Sequence, residues 1–268
     1  MSRNFELLQQ LHVDLDAQNL PASLPLGDAS DTYRDEKLGS SFSGSAERVI
    51  PQVTLRVPAN RAAQVEALKL VHSVFLTNGN APRRVVVFAG IDSGNGCSQI
   101  CALAGRALAA SVRAPVCLVD ANFRSSRGSS IYNASQSDGL AEALRRPGPI
   151  HDFISCAGPS NLALLPRGRM TSESIGFLNS RSMKSRMDDL RSEFAYVLID
   201  APPMNSYADA VTLGQATDGI VLILEANSTR RESALKITEQ LHAAGVAVLG
   251  AVLNKRTFPI PKTLYQIL

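Results

Sequence analysis

The sequence predicts an α/β fold in which a mostly parallel sheet carries helices on both faces. The first observation is that short apolar runs alternate with amphipathic segments, and such runs are typical of strands covered on both sides. The second is a glycine-rich turn directly after one of these strands, and the third is an aspartate that closes each of two later strands. The expected strands are Arg84–Ala89, Pro115–Val119, Leu162–Leu165, Tyr196–Ile199, Gly219–Leu224 and Val246–Leu253.

The amphipathic segments are expected to form helices. They cover Ala62–Leu76, Ser98–Ser111, Leu140–Arg145, Ser172–Phe194, Tyr207–Gln215 and Arg230–Ala244. In the first of them, apolar residues recur at helical spacing and predict one buried side, made of Val65, Leu68, Val71 and Phe75. Thr229 and Glu232 have the spacing of a capping box at the start of the last helix.

The chain divides into three parts by composition. Residues 1–50 combine a short amphipathic helix, Asn4–Asp16, with a flexible linker rich in Ser, Asp, Gly and Pro. Residues 51–257 hold the alternating pattern and form the expected core domain, which begins with a short strand at Val53–Val57. Residues 258–268 form a C-terminal tail.

The composition argues against several classes of function. An apolar fraction of 45% is enough for a packed core, and a net charge of +3 over 268 residues is too small to predict a nucleic-acid partner. The N-terminus lacks the pattern of a signal peptide, and no apolar stretch is as long as a membrane span. The four cysteines form no CxxC pair, which favours reduced thiols over a metal site. We therefore expect a cytoplasmic protein that reaches the inner face of the membrane only through a partner.

The turn after the first core strand has the composition of a phosphate-binding loop. It runs Gly90-Ile-Asp-Ser-Gly-Asn-Gly-Cys-Ser98, and its glycines allow backbone N–H groups to turn inward around an anion. Loops of this kind usually end Gly-Lys-Ser/Thr, where the lysine contacts phosphate and the hydroxyl binds Mg²⁺. Here Cys97 stands at the lysine position, so the loop keeps the hydroxyl of Ser98 and lacks the ammonium group. A glycine-rich turn that serves only close packing is the alternative.

Asp120 and Asp200 each close an expected core strand, in LVDANFR and YVLIDAPP. Ligands of parallel sheets bind at the carboxyl ends of the strands, where both aspartates and the glycine-rich loop fall. A carboxylate in that position can hold Mg²⁺ directly or through water. Either aspartate alone can serve as a helix cap or turn former. The loop and both acids in this order predict a P-loop NTPase fold with ATP and Mg²⁺ as cofactors.

From Glu66 to Lys255 the sequence resembles the bacterial tyrosine kinases that regulate capsule and exopolysaccharide synthesis, in their stand-alone cytoplasmic form. FAGIDSGNGCS resembles their Walker A loop, VCLVDANFR their Walker A′ strand and EFAYVLIDAPP their Walker B strand. GLAEALRRPG and NLALLPRG resemble intervening segments, and VLGAVLNK resembles the last core strand. Partition and septum-placement ATPases are wider relatives of this family.

The resemblance implies a set of site residues. Nucleotide phosphates would contact the loop and the helix that follows it, namely Gly94, Asn95, Gly96, Cys97, Ser98 and Gln99. Ser98, Asp120 and Asp200 would hold Mg²⁺, with the two aspartates as catalytic residues and Asp120 as the base for a tyrosine hydroxyl. Asn254 would lie near the adenine, and Tyr265 would be the phosphate acceptor.

The resemblance also implies partners. In that family the kinase works with a membrane polysaccharide co-polymerase, whose cytoplasmic tail completes the site, and copies of the kinase assemble into rings. The ring-forming motif E-x-x-R-x-x-R appears here as Glu66-x-x-Lys69-x-x-His72, without either arginine. A homo-oligomer is therefore an open expectation, because bidentate arginine pairing is lost.

Further departures put catalysis in doubt. Cys97 removes the Walker A lysine, Asn122 replaces the second Walker A′ carboxylate, and Tyr265 stands alone where the family carries a tyrosine cluster. Another cation can replace the lysine, and the sequence offers Arg124 after the Walker A′ strand or Arg83 and Arg84 before the loop.

Three functions stay open on the sequence. The first is a regulator of exopolysaccharide synthesis that resembles an ATP-binding tyrosine autokinase. The second is a catalytically inactive pseudokinase scaffold that binds a membrane co-polymerase. The third is a partition-type positioning ATPase, which is disfavoured because those proteins usually carry a second lysine early in the loop and residues 90–96 have none.

Overall fold

The computed structural model describes residues 51–57, 60–77, 83–125, 131–132, 138–169, 176 and 181–256. The predicted helix Asn4–Asp16, the linker before residue 51 and the tail with Tyr265 lie outside the described residues.

The strands in the described residues belong to one mostly parallel sheet, as predicted. They are β1 (Val85–Gly90), β2 (Val116–Asp120), β3 (Ser155–Cys156), β4 (Leu162–Leu165), β5 (Tyr196–Ala201), β6 (Ile220–Glu225) and β7 (Val248–Asn254). Their order across the sheet is β3-β4-β2-β5-β1-β6-β7, and all neighbours are parallel except β3 and β4. The two-residue strand β3 was not predicted, because so short a segment carries no pattern.

Each predicted helix is present, with shifted ends. The helices are α1 (Arg61–Val71), α2 (Cys97–Ser111), α3 (Leu140–Arg145), α4 (Arg181–Glu193), α5 (Asp209–Gln215) and α6 (Arg231–Ala243). α1 continues into a π-helical turn, His72–Leu76, and a 3₁₀ turn, Ile150–Phe153, precedes β3. Within the described ranges, none of these helices combines the length and apolar character needed to cross a bilayer.

The sheet brings the candidate site together at one edge. Every residue of β1 and β2 is buried, which explains their continuous apolar runs. β5 lies between these two strands, and its register places Asp200 directly beside Asp120 of β2 and beside Phe88 of β1. Because the three strands are parallel, the loop after β1 and the two aspartates lie at the same edge.

The predicted buried side of α1 is wrong in its first half. Val71 and Phe75 are buried, but Val65 is 43% exposed and Leu68 is 45% exposed. The buried positions are Ala67 and Val71 in α1, with Val74 and Phe75 in the π-helical turn. A π-helical turn bonds i to i+5, so it rotates the residues after Val71 relative to an unbroken α-helix, which the sequence pattern assumed.

Residues 51–57 form a strap rather than the predicted strand Val53–Val57. The strap is tied to β3 by the N–H of Val53, which donates to the carbonyl of Cys156 at 2.7 Å, and by an isolated bridge at Gln52. Further along, the N–H of Arg56 donates to the carbonyl of Ile131 at 2.8 Å, and Leu55 is buried. Because its hydrogen bonds go to two different segments, the strap does not continue the ladder of the sheet.

The predicted capping box of α6 is also wrong. Arg230 is the N-cap residue, and its side chain makes no capping hydrogen bond. The hydroxyl of Thr229 instead accepts a hydrogen bond from the N–H of Glu225 at 2.9 Å, and so closes the turn after β6. The tertiary turn thus takes the oxygen that a local cap would have used.

Candidate functional site

The loop from Gly90 to Gly96 connects β1 with α2, and two of its glycines adopt backbone angles that favour glycine. Gly94 has φ +89° and Gly96 has φ +86°, both in the left-handed region. A Cβ on Gly96 would lie 2.3 Å from Nδ2 of Asn254. Gly96 is also the N-cap of α2, so the backbone N–H groups of the first turn of this helix are available to an anion beside the loop.

Asn95 and Asn254 hold this loop in place. Asn95 is 2% exposed, and its Nδ2 donates to the carbonyl of Ile223 in β6 at 3.1 Å. Asn254 at the end of β7 donates from Nδ2 to the carbonyl of Asn95 at 2.7 Å. The two strands beyond β1 therefore buttress the loop through these amides. Asn254 lies beside the loop, and its contact with an adenine stays a prediction.

Asp120 and Asp200 form a buried acidic pair at the ends of β2 and β5. They are 1% and 0% exposed and are register neighbours. Burial, together with the charge of Asp200, raises the pKa of Asp120 to about 7. Burial likewise raises the pKa of Asp200 to about 6, although hydrogen bonds from Ser98, Cys97 and Tyr132 oppose that rise. Two buried carboxylates side by side favour either a shared proton or a bound cation.

The acidic pair fits Mg²⁺ better than a softer metal. Oδ1 of Asp200 is buried, and no hydrogen-bond partner reaches it among the described residues. The nearest donor of the predicted set is Ser98, so the oxygen-only ligands Ser98, Asp120 and Asp200 match the preference of Mg²⁺. No three His, Cys, Asp or Glu side chains converge into a metal cage in the part of the chain that is described. This suits Mg²⁺, which usually takes one or two carboxylates and completes its shell with water and substrate phosphates.

Cys97 is the first residue of α2, and its thiol lies beside Asp200. Burial, the charge of Asp200 and the neighbouring Cys101 all raise the pKa of the Cys97 thiol well above its usual value. The thiol is therefore neutral at physiological pH and supplies no charge to a phosphate. Gln99, one turn into the same helix, is half-buried, and its Oε1 lies 4.0 Å from the position of a Cβ built on Gly96.

The cations proposed from the sequence to replace the lysine are engaged elsewhere. Nε of Arg124 pairs with Oδ2 of Asp209 at 3.0 Å, and its guanidinium stacks 4.5 Å from the ring centroid of Tyr207. Arg84 precedes β1 and therefore lies at the opposite edge of the sheet, where it bonds the carbonyls of Arg191, Phe194 and Ala195. Arg83 precedes Arg84 at that same distant edge.

Arg167, which the sequence reasoning missed, is the cation that acts on the acidic pair. Its charge lowers the pKa of both Asp120 and Asp200 and so opposes the effect of burial. NH1 of Arg167 donates to the carbonyl of Asn122 at 3.3 Å and to the carbonyl of Ser125. Nε of Arg167 and Oδ1 of Asn122 are both buried without a hydrogen-bond partner among the described residues. The only sequence signal was the position of Arg167 shortly after a strand that pairs with β2.

The altered ring motif on α1 is partly satisfied inside the chain. Nζ of Lys69 pairs with Oε1 of Glu66 at 3.0 Å, and Nδ1 of His72 lies 3.0 Å from the hydroxyl of Thr77. An intermolecular role for these side chains stays a prediction.

A family comparison identifies the chain. The family described as "Cellulose biosynthesis protein BcsQ" matches residues 83–243, which is more than half of the chain and includes the loop and both aspartates. The chain belongs to this family. The sequence reasoning did not name it, although it predicted a role in polysaccharide synthesis.

Individual relatives confirm the predicted kinship with bacterial tyrosine kinases. The tyrosine-protein kinase CpsD of Streptococcus agalactiae is 29% identical over 139 residues, a match that covers 52% of this chain and 61% of that kinase. This chain thus spans less than two thirds of the length of that relative.

Solved structures confirm the P-loop NTPase fold. The kinase domain of the Escherichia coli tyrosine kinase ETK superposes with a TM-score of 0.66 at 20% identity, over 76% of this chain and 81% of that domain. The septum site-determining protein MinD of Pyrococcus horikoshii, complexed with Mg-ADP, gives a TM-score of 0.55 at 20% identity, over 69% and 76%. At this level of identity the likeness concerns the fold.

Proposed function

We propose that this chain binds ATP with Mg²⁺ and regulates exopolysaccharide biosynthesis as a tyrosine-kinase relative whose phosphoryl transfer is slow. The observation that carries the proposal is the buried pair Asp120 and Asp200, which lies beside the loop and leaves Oδ1 of Asp200 without a partner. A buried carboxylate oxygen of this kind is costly to fold unless a ligand satisfies it. MinD, a neighbour in fold, was crystallised with Mg-ADP, which supports the choice of ligand.

Each residue of the site has a role in this proposal. The backbone N–H groups of Gly94, Asn95 and Gly96 and the N-terminus of α2 bind the phosphates. Ser98 and Asp200 hold Mg²⁺, which neutralises phosphate charge when it is bound.

Asp120 completes the metal site and accepts the proton of an incoming tyrosine hydroxyl. A pKa of about 7 suits a general base that works near neutral pH. Asn254 and Gln99 flank the loop on the side expected for the base of the nucleotide. Tyr265 is the proposed acceptor.

The slow transfer follows from the charges at the loop. Phosphoryl transfer depends on positioning and on neutralising the charge spread over the phosphate oxygens. The neutral thiol of Cys97 contributes nothing to that neutralisation. Arg167 faces the acidic pair and keeps it ionised, but its NH1 is bound to the loop carbonyls of Asn122 and Ser125. The site is therefore better equipped to bind a nucleotide than to turn it over.

We expect Mg-ATP to stabilise the folded chain. A ligand present at about 100 times its Kd adds about 2.7 kcal/mol to the free energy of unfolding, which for a domain of this size raises the melting temperature by about 5–10 °C. The measurement is a thermal melt with millimolar Mg-ATP or Mg-ADP, compared with ATP plus EDTA. Ser98→Ala should lose the Mg²⁺-dependent part of the shift, whereas Asp188→Asn, an exposed control, should keep it. Equal melting temperatures with and without nucleotide would remove the proposed ligand.

The proposed partner is the cytoplasmic tail of a membrane polysaccharide co-polymerase. The family description and the kinship with tyrosine kinases both support a place in polysaccharide synthesis. We expect an immobilised tail from the same organism to retain this chain, whereas a scrambled tail does not. Retention that is equal with Mg-ATP and with EDTA supports the scaffold alternative, and retention that requires nucleotide supports the kinase-like regulator. The absence of retention in both conditions contradicts this partner.

A further inference from the structure

Tyr132 places its hydroxyl at the centre of the candidate site, although the motif pattern gave no reason to expect it there. The residue is 1% exposed, and its ring belongs to the apolar core that includes Val71 and Phe75. Its hydroxyl lies 3.2 Å from Oδ2 of Asp200 and 3.4 Å from the carbonyl oxygen of Ser98. The carboxylate is the stronger acceptor, because hydrogen bonds to an ionised group are shorter and stronger than neutral ones.

The position of Tyr132 is fixed from two sides. The strap of residues 51–57 holds the preceding residue through the hydrogen bond from the N–H of Arg56 to the carbonyl of Ile131, at 2.8 Å. Leu55 of the strap belongs to the same apolar core as the ring of Tyr132. A buried ring with its backbone tied in this way leaves the hydroxyl little freedom to leave Asp200.

A purely structural role would not require the hydroxyl. A phenylalanine fills the same apolar space without a polar group that needs a partner. The hydroxyl of Tyr132 instead occupies one oxygen of Asp200 and leaves the other, Oδ1, buried without a partner among the described residues. The hydrogen bond therefore decides which oxygen of the carboxylate is available to a ligand.

We propose that Tyr132 is a positioning residue for Asp200, because its hydroxyl holds Oδ2 and so presents Oδ1 to the cation of bound Mg²⁺-nucleotide. The inference rests on the proposed function and adds to it a residue outside the phosphate loop and the strand ends. Groups that orient a metal ligand through a second hydrogen bond typically change metal affinity about 10- to 100-fold when they are removed.

The test compares Tyr132→Phe with Tyr196→Phe in the full chain. Tyr196 opens β5 and packs edge-to-face on Phe75 of the same core, with ring centroids 5.9 Å apart, so its variant is a matched loss of one hydroxyl. The probe is Mn²⁺, titrated by electron paramagnetic resonance at fixed pH in the presence of saturating ADP. We expect Tyr132→Phe to bind Mn²⁺ about tenfold more weakly, and Tyr196→Phe to match the wild-type protein.

A second measurement separates positioning from a general structural effect. ADP affinity in EDTA should be the same for all three proteins, because the phosphate loop is unchanged. Equal Mn²⁺ affinity in Tyr132→Phe and the wild-type protein would overturn the inference, and so would an equal loss of metal-free ADP binding. If the wild-type protein binds neither Mn²⁺ nor ADP, the proposed function fails and the inference fails with it. Wild-type binding combined with an unaffected Tyr132→Phe overturns the inference alone.

Discussion

Replacement of Cys97 by lysine is expected to raise the rate of phosphoryl transfer from ATP by about 100-fold or more. One preorganised charge in such a site is typically worth about 3–4 kcal/mol in the transition state. Cys97 is the first residue of α2, so a longer side chain there begins next to the phosphate loop. The native thiol cannot provide the charge, because burial and the Asp200 carboxylate keep it neutral.

The measurement is transfer of label from ATP to the protein, together with release of phosphate, for the wild-type chain and Cys97→Lys. Cys97→Ala and Cys97→Ser are the matched controls, since they change the side chain without adding a charge, and neither should gain activity. The double variant Cys97→Lys with Ser98→Ala should lose the gain, because the hydroxyl that binds Mg²⁺ is gone. If Cys97→Lys gains neither affinity for ATP nor transfer, kinase ancestry does not explain the function of this site.

The sequence predicted the fold well because the strands that build it are buried on both faces. The continuous apolar runs at β1, β2 and β5 leave little doubt about strand or helix, and their order fixes a parallel sheet. The same reasoning placed Asp120 and Asp200 at one edge, and their register confirms that they are neighbours. Failures are concentrated where local pattern competes with tertiary contacts, as at the π-helical turn after Val71.

The parts of the site that the sequence did not reveal are those brought in by long-range contacts. Tyr132 and Asp200 are 68 positions apart, and no spacing rule connects them. Arg167 reaches the acidic pair only because β4 lies beside β2, which short-range patterns do not encode. Asn254 was predicted as a nucleotide contact from resemblance, but its hydrogen bond to Asn95 across the sheet emerged only from the structure. Motifs thus located the ligand side of the site, and the supporting side came from the topology.

Asp120→Asn is expected to stabilise the ligand-free chain at about pH 8 by on the order of 2 kcal/mol. The folded chain holds the proton of Asp120 with a pKa of about 7, against an ordinary value of 3.8. Between these two values the unfolded chain has released the proton while the folded chain keeps it. Stability of the wild-type chain therefore falls as pH rises through this window, and the full penalty is present above it. Asparagine does not ionise, so the variant escapes the penalty.

The measurement is chemical denaturation of the wild-type chain and Asp120→Asn at about pH 4.5 and about pH 8, first without and then with Mg-ATP. The two proteins should differ little at the lower pH, where both carry a neutral group at this position. Asp188→Asn, an exposed carboxylate on α4, is the control and should change stability little at either pH. A variant that is less stable than the wild-type chain at both pH values would contradict the expected gain.

Addition of Mg-ATP at the higher pH should reverse the order of stability. The wild-type chain gains free energy from a ligand that binds only the folded state, whereas Asp120→Asn has lost one of the two carboxylates that attract the cation. The opposite signs in the free and loaded protein distinguish a ligand site from a structural acid, because a structural acid that is removed destabilises the chain in both conditions. An acidic pair that lowers the stability of the free chain is expected only where a bound cation compensates for it.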